Sequence, residues 1–198
     1  MNKYNVSSPE QILRKIKQRK FFLAARPWMR LAVVFLVLAV LLIGIAMIPY
    51  VCMYGTAMAP TLSNGDFGIA FPAKEYRSGD IIAFRQNEKV LIRRIIACSG
   101  SSVSINENGI VTVDGVILDE PYTAQKALGQ CNIQFPYIVP DGQYFVLGDN
   151  RGVSRDSRDP VIGQIDRREV LGKAVLLMIP GTSHGNQARD PGRIGVIE

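Results

Sequence analysis

Residues 55–66 read Gly-Thr-Ala-Met-Ala-Pro-Thr-Leu-Ser-Asn-Gly-Asp, and they lie between a long apolar run and a series of short alternating segments. The last three residues of this stretch are typical of a turn, because asparagine and glycine tolerate backbone conformations that other residues avoid. The stretch therefore marks the boundary between two kinds of structure, one on each side.

On the N-terminal side, residues 31–49 form an apolar run of 19 residues without a charge. This length is just sufficient for a helix to cross a hydrocarbon core of about 30 Å. Trp28 and Tyr50 flank the run, as aromatic residues do at membrane interfaces. We predict a transmembrane helix over residues 31–50. Since the run is long for a secretory leader, we expect it to be retained rather than cleaved.

The positive charge is concentrated before this helix. Residues 1–30 hold eight Lys or Arg and one Glu, which leaves 15 basic and 16 acidic residues in the other 168 positions. The positive-inside rule then predicts a single-pass protein of the cell membrane, with a cytoplasmic segment 1–30 and an extracellular main domain. Nucleic-acid binding is not expected, because the main domain has no basic stripe. Residues 9–22 fit either an amphipathic helix on the membrane lipid or a solvated basic tail.

On the C-terminal side, short apolar segments alternate with turn signals such as Asn108-Gly109 and Asp114-Gly115, which is an all-β pattern. We predict a mostly β protein with one antiparallel β domain over residues 51–180, followed by a flexible tail over 181–198. The strands are expected at 67–71, 80–85, 90–97, 102–106, 110–113, 116–118, 143–147 and 169–179.

No cofactor is predicted. The sequence has one histidine and no CxxC pair, so the usual zinc-ligand spacing is missing and no metal site is expected. The odd cysteine count argues against a disulfide framework. A bridge between Cys98 and Cys131 stays open, although free thiols are the simpler expectation for these two and for Cys52.

Four motifs follow one another over about 120 residues. The first lies within residues 55–66, and the second is Arg-Ser-Gly-Asp-Ile-Ile-Ala-Phe at 77–84. The third is Leu-Ile-Arg-Arg-Ile-Ile-Ala-Cys-Ser-Gly-Ser at 91–101, and the fourth is Gly-Asp-Asn-Arg-Gly-Val-Ser-Arg-Asp-Ser-Arg at 148–158. Together they resemble type I signal peptidases, serine peptidase family S26. The resemblance implies an extracytoplasmic β domain with a groove for an extended peptide.

The resemblance matches Ala57 to the nucleophilic serine of the family and Arg93 to its general-base lysine. Alanine has no nucleophile, and a guanidinium with a pKa above about 12 cannot accept the proton. Strand alternation predicts that Thr56 points away from Ala57, and Lys89 lies about 13 Å along the strand from Arg93. Neither is expected to replace the lost dyad.

The resemblance also implies supporting residues. Ser154 matches the serine that bonds the lysine amine, and Asp156 with Arg158 matches an ion pair that braces the loop. Residues expected to line or support the substrate groove are Gly55, Met58 and Pro60.

Three hypotheses for the function follow. The favoured one is a catalytically inactive homologue of the Gram-positive, pilus-assembly kind, acting as a scaffold or chaperone for exported preproteins or pilin subunits, with sortase or pilus machinery as further partners. The alternative is a signal peptidase I that removes signal peptides and is seen here as an inactivated variant. A structural anchor without peptide binding is the third, but it gives no reason for the supporting residues.

Overall fold

The structure is a computed structural model that describes residues 9–46, 50–181, 192 and 194–197. The chain forms two compact units, residues 1–47 and residues 48–198. Most of the predicted flexible tail lies outside the described residues.

In the first unit the described residues form the helix α1 (Pro9–Ala46), of 38 residues with Pro27 inside it. Its apolar part, Pro27–Gly44, has a mean hydropathy of 2.3 and no buried residues, so by length and composition it could cross a membrane. The helix begins much earlier than the predicted span. Its backbone is already helical through residues 9–22, and contact of that segment with the membrane lipid stays a prediction.

The described residues of the second unit form twelve strands and one 3₁₀ turn, Arg167–Glu169. The strands are β1 (Tyr50–Cys52), β2 (Phe67–Phe71), β3 (Ile81–Gln86), β4 (Lys89–Cys98), β5 (Ser102–Ile105), β6 (Val111–Val113), β7 (Val116–Ile117), β8 (Tyr137–Ile138), β9 (Gln143–Leu147), β10 (Ile165–Asp166), β11 (Val170–Ile179) and β12 (Gly195–Val196).

These strands form two antiparallel sheets. The larger follows the order β1-β2-β11-β3-β4-β9-β10, with β12 added to β11, and the smaller follows β7-β6-β5-β8. The predicted fold class, a mostly antiparallel β protein with one N-terminal apolar helix, is confirmed.

Tyr50 corrects the predicted end of the transmembrane segment. It begins β1 and pairs with Ile69 of β2, and its ring stacks on Phe67 at 5.6 Å between centroids. Because its backbone belongs to the sheet, Tyr50 is the first strand residue of the β unit and not the last residue of the apolar helix.

Three hydrophobic clusters form the core of the β unit. One packs Met53, Met58 and Ile92 beside the segment that carries Ala57. A second joins the two sheets through Phe145, Leu147 and the strands β5 and β6. The third covers the opposite face of the larger sheet around Ile82 and Ile95. Since β3 and β4 are buried on both faces, residues on these strands have well-defined positions at the site.

Candidate functional site

The segment that carries Ala57 is a series of turns between β1 and β2 rather than a strand. The alternation of strand side chains therefore does not apply to it. Thr56 and Ala57 both line the same cavity, which corrects the prediction that Thr56 points away.

The loop after β9 forms hydrogen bonds with this segment. The backbone N–H of Asn150 donates to the Ala57 carbonyl at 3.0 Å, and the Asn150 side-chain amide donates to the Thr56 carbonyl at 3.1 Å. The Thr61 hydroxyl donates to the Asp149 carboxylate at 2.5 Å. Three hydrogen bonds from two sequence motifs thus fix the backbone at Ala57, although 88 or more residues separate the side-chain partners.

Gly148 is required by a close approach. A Cβ atom at this position would lie 2.1 Å from the Ser154 Oγ and 2.5 Å from the Ala57 carbonyl oxygen. Real Cβ atoms do not approach other atoms this closely, so a side chain here would displace the Ala57 segment or the Ser154 loop.

Buried ion pairs stabilise the loop after β9. In each pair both side chains are at most 4% exposed, and the pairs are Arg94–Asp149, Arg151–Glu120 and Arg158–Asp156. Asp156 accepts from Arg158 at 2.8 Å through Nε and through Nη2, and its Oδ2 also accepts from the Gly148 N–H at 3.0 Å. Asp156 thus connects Arg158 to the start of the loop at Gly148, and the supporting role that the resemblance implies for this pair stays a prediction.

Two of these contacts are not apparent from the motifs. Arg94 makes two hydrogen bonds to Asp149 and lies over the Tyr122 ring at 3.9 Å from its centroid. Glu120 binds Arg151 and accepts from the Tyr122 hydroxyl. The segment of residues 120–122, which follows β7, is thereby attached to the loop at 148–158. Burial, together with the nearby negative charge of Glu120, raises the pKa of Tyr122 well above its ordinary value.

Arg93 adopts a position that a lysine cannot reproduce. Its Nε and Nη2 donate to the Arg155 carbonyl at 3.0 and 2.8 Å, and its Nη1 donates to the Ile92 carbonyl at 2.6 Å. Burial lowers the pKa of Arg93; the negative charge of Asp156 opposes this shift and the positive charge of Arg158 adds to it. Since the ordinary pKa of a guanidinium lies far above neutrality, Arg93 stays cationic.

Ser154 is 3% exposed, and its hydroxyl has no hydrogen-bond partner among the described residues. The hydrogen bond that the resemblance implies, from residue 93 to this serine, is not formed. The reason is visible in the geometry of Arg93, whose guanidinium reaches the Arg155 carbonyl instead.

Ala57 and Arg93 line one cavity of about 740 Å³. Gly55 and Lys89 also line this cavity, and a role of Gly55 in binding a substrate stays a prediction. The lining also includes polar side chains from residues 86–88 and Arg155, and four apolar residues from three parts of the chain: Leu91, Val153, Val161 and Ile162. The cavity therefore combines an apolar surface with two cationic side chains from one strand.

Two predicted groove residues lie elsewhere. Met58 is fully buried in the core cluster beside Ile92, so it supports the wall of the cavity but cannot contact a ligand. Pro60 is exposed and is not among the residues that line the cavity. The turn at residues 55–62 directs these side chains away from the cavity, whereas sequence order alone placed them beside Ala57.

A second cleft of about 570 Å³ is lined by residues 50–54 and 89–93. Among the described strands, β1 is at the edge of its sheet and pairs with β2. β4 pairs with β3 from Lys89 to Arg94, but β9 joins its other side at Arg94 and beyond. The cleft thus lies between two strand edges that have no strand partner among the described residues.

The remaining candidates are the three cysteines and a metal site. Cys52, Cys98 and Cys131 are free thiols. Burial raises the pKa of the Cys98 thiol, which disfavours the reactive thiolate. No group of three His, Cys, Asp or Glu side chains suited to a metal ion occurs in the described part of the chain.

Comparison with known proteins identifies the class. A family model described as signal peptidase, peptidase S26, matches residues 25–179. The chain therefore belongs to the S26 signal peptidase family, as its motifs predict.

Individual relatives carry the name signal peptidase. The chain is 31% identical over 166 residues to signal peptidase I of Bacillus licheniformis, and 32% identical over 165 residues to signal peptidase I S of Bacillus subtilis. Each alignment covers 77% of this chain and 88% of the relative. A crystal structure of a signal peptidase I from Enterococcus faecalis matches with a TM-score of 0.41 and 31% identity, covering 50% of this chain and 97% of that one.

Proposed function

We propose that this member of the signal peptidase family is not a peptidase and that it binds an extended segment of an exported polypeptide. The binding site is the cleft between β1 and residues 89–93 of β4, together with the cavity at Ala57. The observation that carries the proposal is the position of Ala57 and Arg93 on one cavity beside a cleft, whose β4 side at residues 89–93 has no second strand partner in the described part of the chain.

The cleft beside residues 89–93 of β4 supports peptide binding. An extended peptide can add a strand to an exposed edge, so that main-chain hydrogen bonds provide affinity and side-chain pockets provide selectivity. The apolar side chains around the cavity offer such pockets. Neither feature depends on a nucleophile or a base.

The chemistry at the two family positions argues against cleavage. The methyl group of Ala57 cannot attack a carbonyl, and the cationic Arg93 cannot take a proton from a nucleophile. In a studied serine hydrolase, loss of the nucleophile and base lowers kcat about a millionfold. Binding without turnover is the activity that remains.

The family gives the ligand class. Relatives are named signal peptidases, so their substrates are preproteins that bear signal peptides. We propose preproteins or pilin subunits as the clients of this chain, with sortase or pilus machinery as partners of the assembly. The apolar helix α1 would hold the protein at the membrane that such clients cross.

A cleavage and binding assay tests the proposal. The full chain, solubilised in detergent, is mixed with a fluorescent preprotein or pilin, and both bound and cleaved material are measured. We expect binding without cleavage. We expect the Ala57→Ser, Arg93→Lys double variant to cleave, with each single variant as its control.

Cleavage of the preprotein by the unmodified chain, free of contaminating proteases, would refute the proposal and favour a working signal peptidase. If neither the unmodified chain nor the double variant binds, the proposal that the peptide-binding groove is retained would be refuted. A higher affinity for pilin than for preprotein would support the scaffold role in pilus assembly.

A further inference from the structure

Arg93 is a buried cation without a matching anion. Its residue is 6% exposed, and no carboxylate lies within ion-pair distance of it among the described residues. Asp156 is near enough to influence Arg93, but both of its oxygens bind Arg158 and one also binds the Gly148 N–H. A buried charge of this kind is stabilised when an anion binds to it.

The guanidinium has hydrogen-bonding capacity left. Arginine carries five N–H donors. In the described structure Arg93 uses one from Nε, one from Nη1 and one from Nη2, all of them on backbone carbonyls. One N–H therefore remains on each terminal nitrogen. Two such donors can bind the two oxygens of a carboxylate.

The end of the free strand edge coincides with Arg93. From Arg94 onward β9 pairs with β4, beginning at Leu147. In addition, the Arg93 side chain donates one hydrogen bond to the Ile92 carbonyl and another to the Arg155 carbonyl. The Ile92 carbonyl, at this end of the strand edge, therefore already has a donor. A peptide that adds to residues 89–93 therefore ends, or leaves the sheet, at Arg93.

The charges around the cavity also favour a bound peptide whose end carries a negative charge. Arg93 and Lys89 are cationic and line the same cavity, whereas Glu88 is the one acidic residue among its described lining residues. The Arg155 side chain is neutralised by Asp159 at 2.8 Å. The cavity has more positive than negative charge at the point where the strand edge ends.

We infer that Arg93 binds the free carboxylate of a peptide whose C-terminus lies at Ala57, so that the preferred ligand is an extended polypeptide with a free C-terminal end. Such a peptide runs in the same direction as β4. The inference rests on the proposed cleft and adds a preference for a chain end: an internal segment, such as the cleavage region of a preprotein, should bind in the same cleft with lower affinity.

Binding of a synthetic peptide tests the requirement. The probe is the peptide Leu-Val-Ala-Val-Thr-Val-Ala with a fluorophore on its N-terminus, prepared with a free C-terminal acid, with a C-terminal amide, and with five further residues after the last alanine. Affinities for the detergent-solubilised full chain are measured by fluorescence anisotropy. We expect the acid to bind about tenfold or more tightly than the amide or the extended peptide.

Variants assign this preference to Arg93. In Arg93→Gln the acid and the amide should bind equally, whereas Arg93→Lys should keep part of the preference. Arg168→Gln is the matched control, because it removes a cation that is paired with Asp166 but lies outside both clefts, and its preference should be unchanged. Resistance of each variant to limited proteolysis shows that the β unit is folded.

Each failure has a separate meaning. If the acid, the amide and the extended peptide bind equally well to the unmodified chain, the carboxylate site is refuted and the cleft stands. If an amidated peptide with aspartate as its last residue binds as tightly as the acid, recognition of a terminus is refuted. If none of the peptides binds, the cleft itself is refuted and the carboxylate site with it.

Discussion

At the scale of single residues, Gly148 is one of the positions where the structure leaves no space for a Cβ atom. We predict that Gly148→Ala destabilises the β unit by about 1–3 kcal/mol, as overpacking of a dense interior does. The added methyl group must displace either the Ser154 hydroxyl or the Ala57 carbonyl. Pulse proteolysis in urea, with the intact β unit followed on a gel, gives the free energy of unfolding.

Gly152→Ala is the matched control for this prediction. Gly152 lies on the same loop, but a Cβ atom there has no neighbour within 4 Å. Its free energy of unfolding should change by less than about 0.5 kcal/mol. Equal effects of the two substitutions would show that the close approach at Gly148 is not a constraint.

A second residue-scale prediction concerns Arg158. The Arg158→Ala substitution leaves the buried Asp156 carboxylate without its cation, which should cost about 3–5 kcal/mol of stability. Arg155→Ala breaks a pair in which the arginine side chain is 62% exposed, and it should cost less than about 1 kcal/mol. The same urea proteolysis measures both. A small loss in Arg158→Ala would mean that the loop does not depend on this brace.

At the scale of elements, we predict that an exposed apolar residue on the cavity wall contributes to peptide binding. Val161 is 66% exposed and lines the cavity, so a bound peptide would bury its side chain. We expect Val161→Asp to weaken peptide binding about tenfold or more, because apolar contact is lost and a carboxylate is introduced. Fluorescence anisotropy with a labelled preprotein segment measures the change.

Val116→Asp provides the control for the cavity wall. Val116 is similarly exposed, at 71%, but it lies on β7 in the other sheet. Its affinity for the segment should match that of the unmodified chain. A loss of affinity in Val116→Asp equal to that in Val161→Asp would place the binding surface elsewhere.

The strands could largely be predicted from the sequence, because their signals are local. All eight predicted strands occur, each within one residue of its expected bounds at both ends. Four further strands, β1, β8, β10 and β12, have two or three residues each, too few for alternation to be recognised. The partners of these short strands are distant in sequence, as in the pairing of β12 with β11.

The site was less predictable because its geometry depends on contacts between distant segments. The motif identified Ala57 and Arg93, but Met58 belongs to the core because β4 packs against the turn that carries it. The ion pair of Arg94 with Asp149 joins residues 55 positions apart, and neither residue indicates its partner. Pattern and motif therefore predict elements, while the cavity is defined by the packing of those elements.

At the scale of the whole molecule, charge and hydropathy divide the chain in the same place as its structure. The basic residues are concentrated before the apolar part of α1, and the near-neutral remainder forms the β unit. Cytoplasmic loops retain Lys and Arg, whereas a near-neutral domain presents no such barrier to export. We therefore propose that residues 1–30 are cytoplasmic and that the β unit lies outside the cell.

Cysteine labelling tests this orientation in intact cells. In a chain whose three cysteines are replaced by serine, Ser8→Cys and Val116→Cys are each treated with a membrane-impermeant maleimide. We expect Val116→Cys to be labelled at once, since residue 116 is exposed on the β unit, and Ser8→Cys to be labelled only after the membrane is permeabilised. The reverse pattern would place the β unit in the cytoplasm, where a cleft for exported polypeptides would meet no client after export.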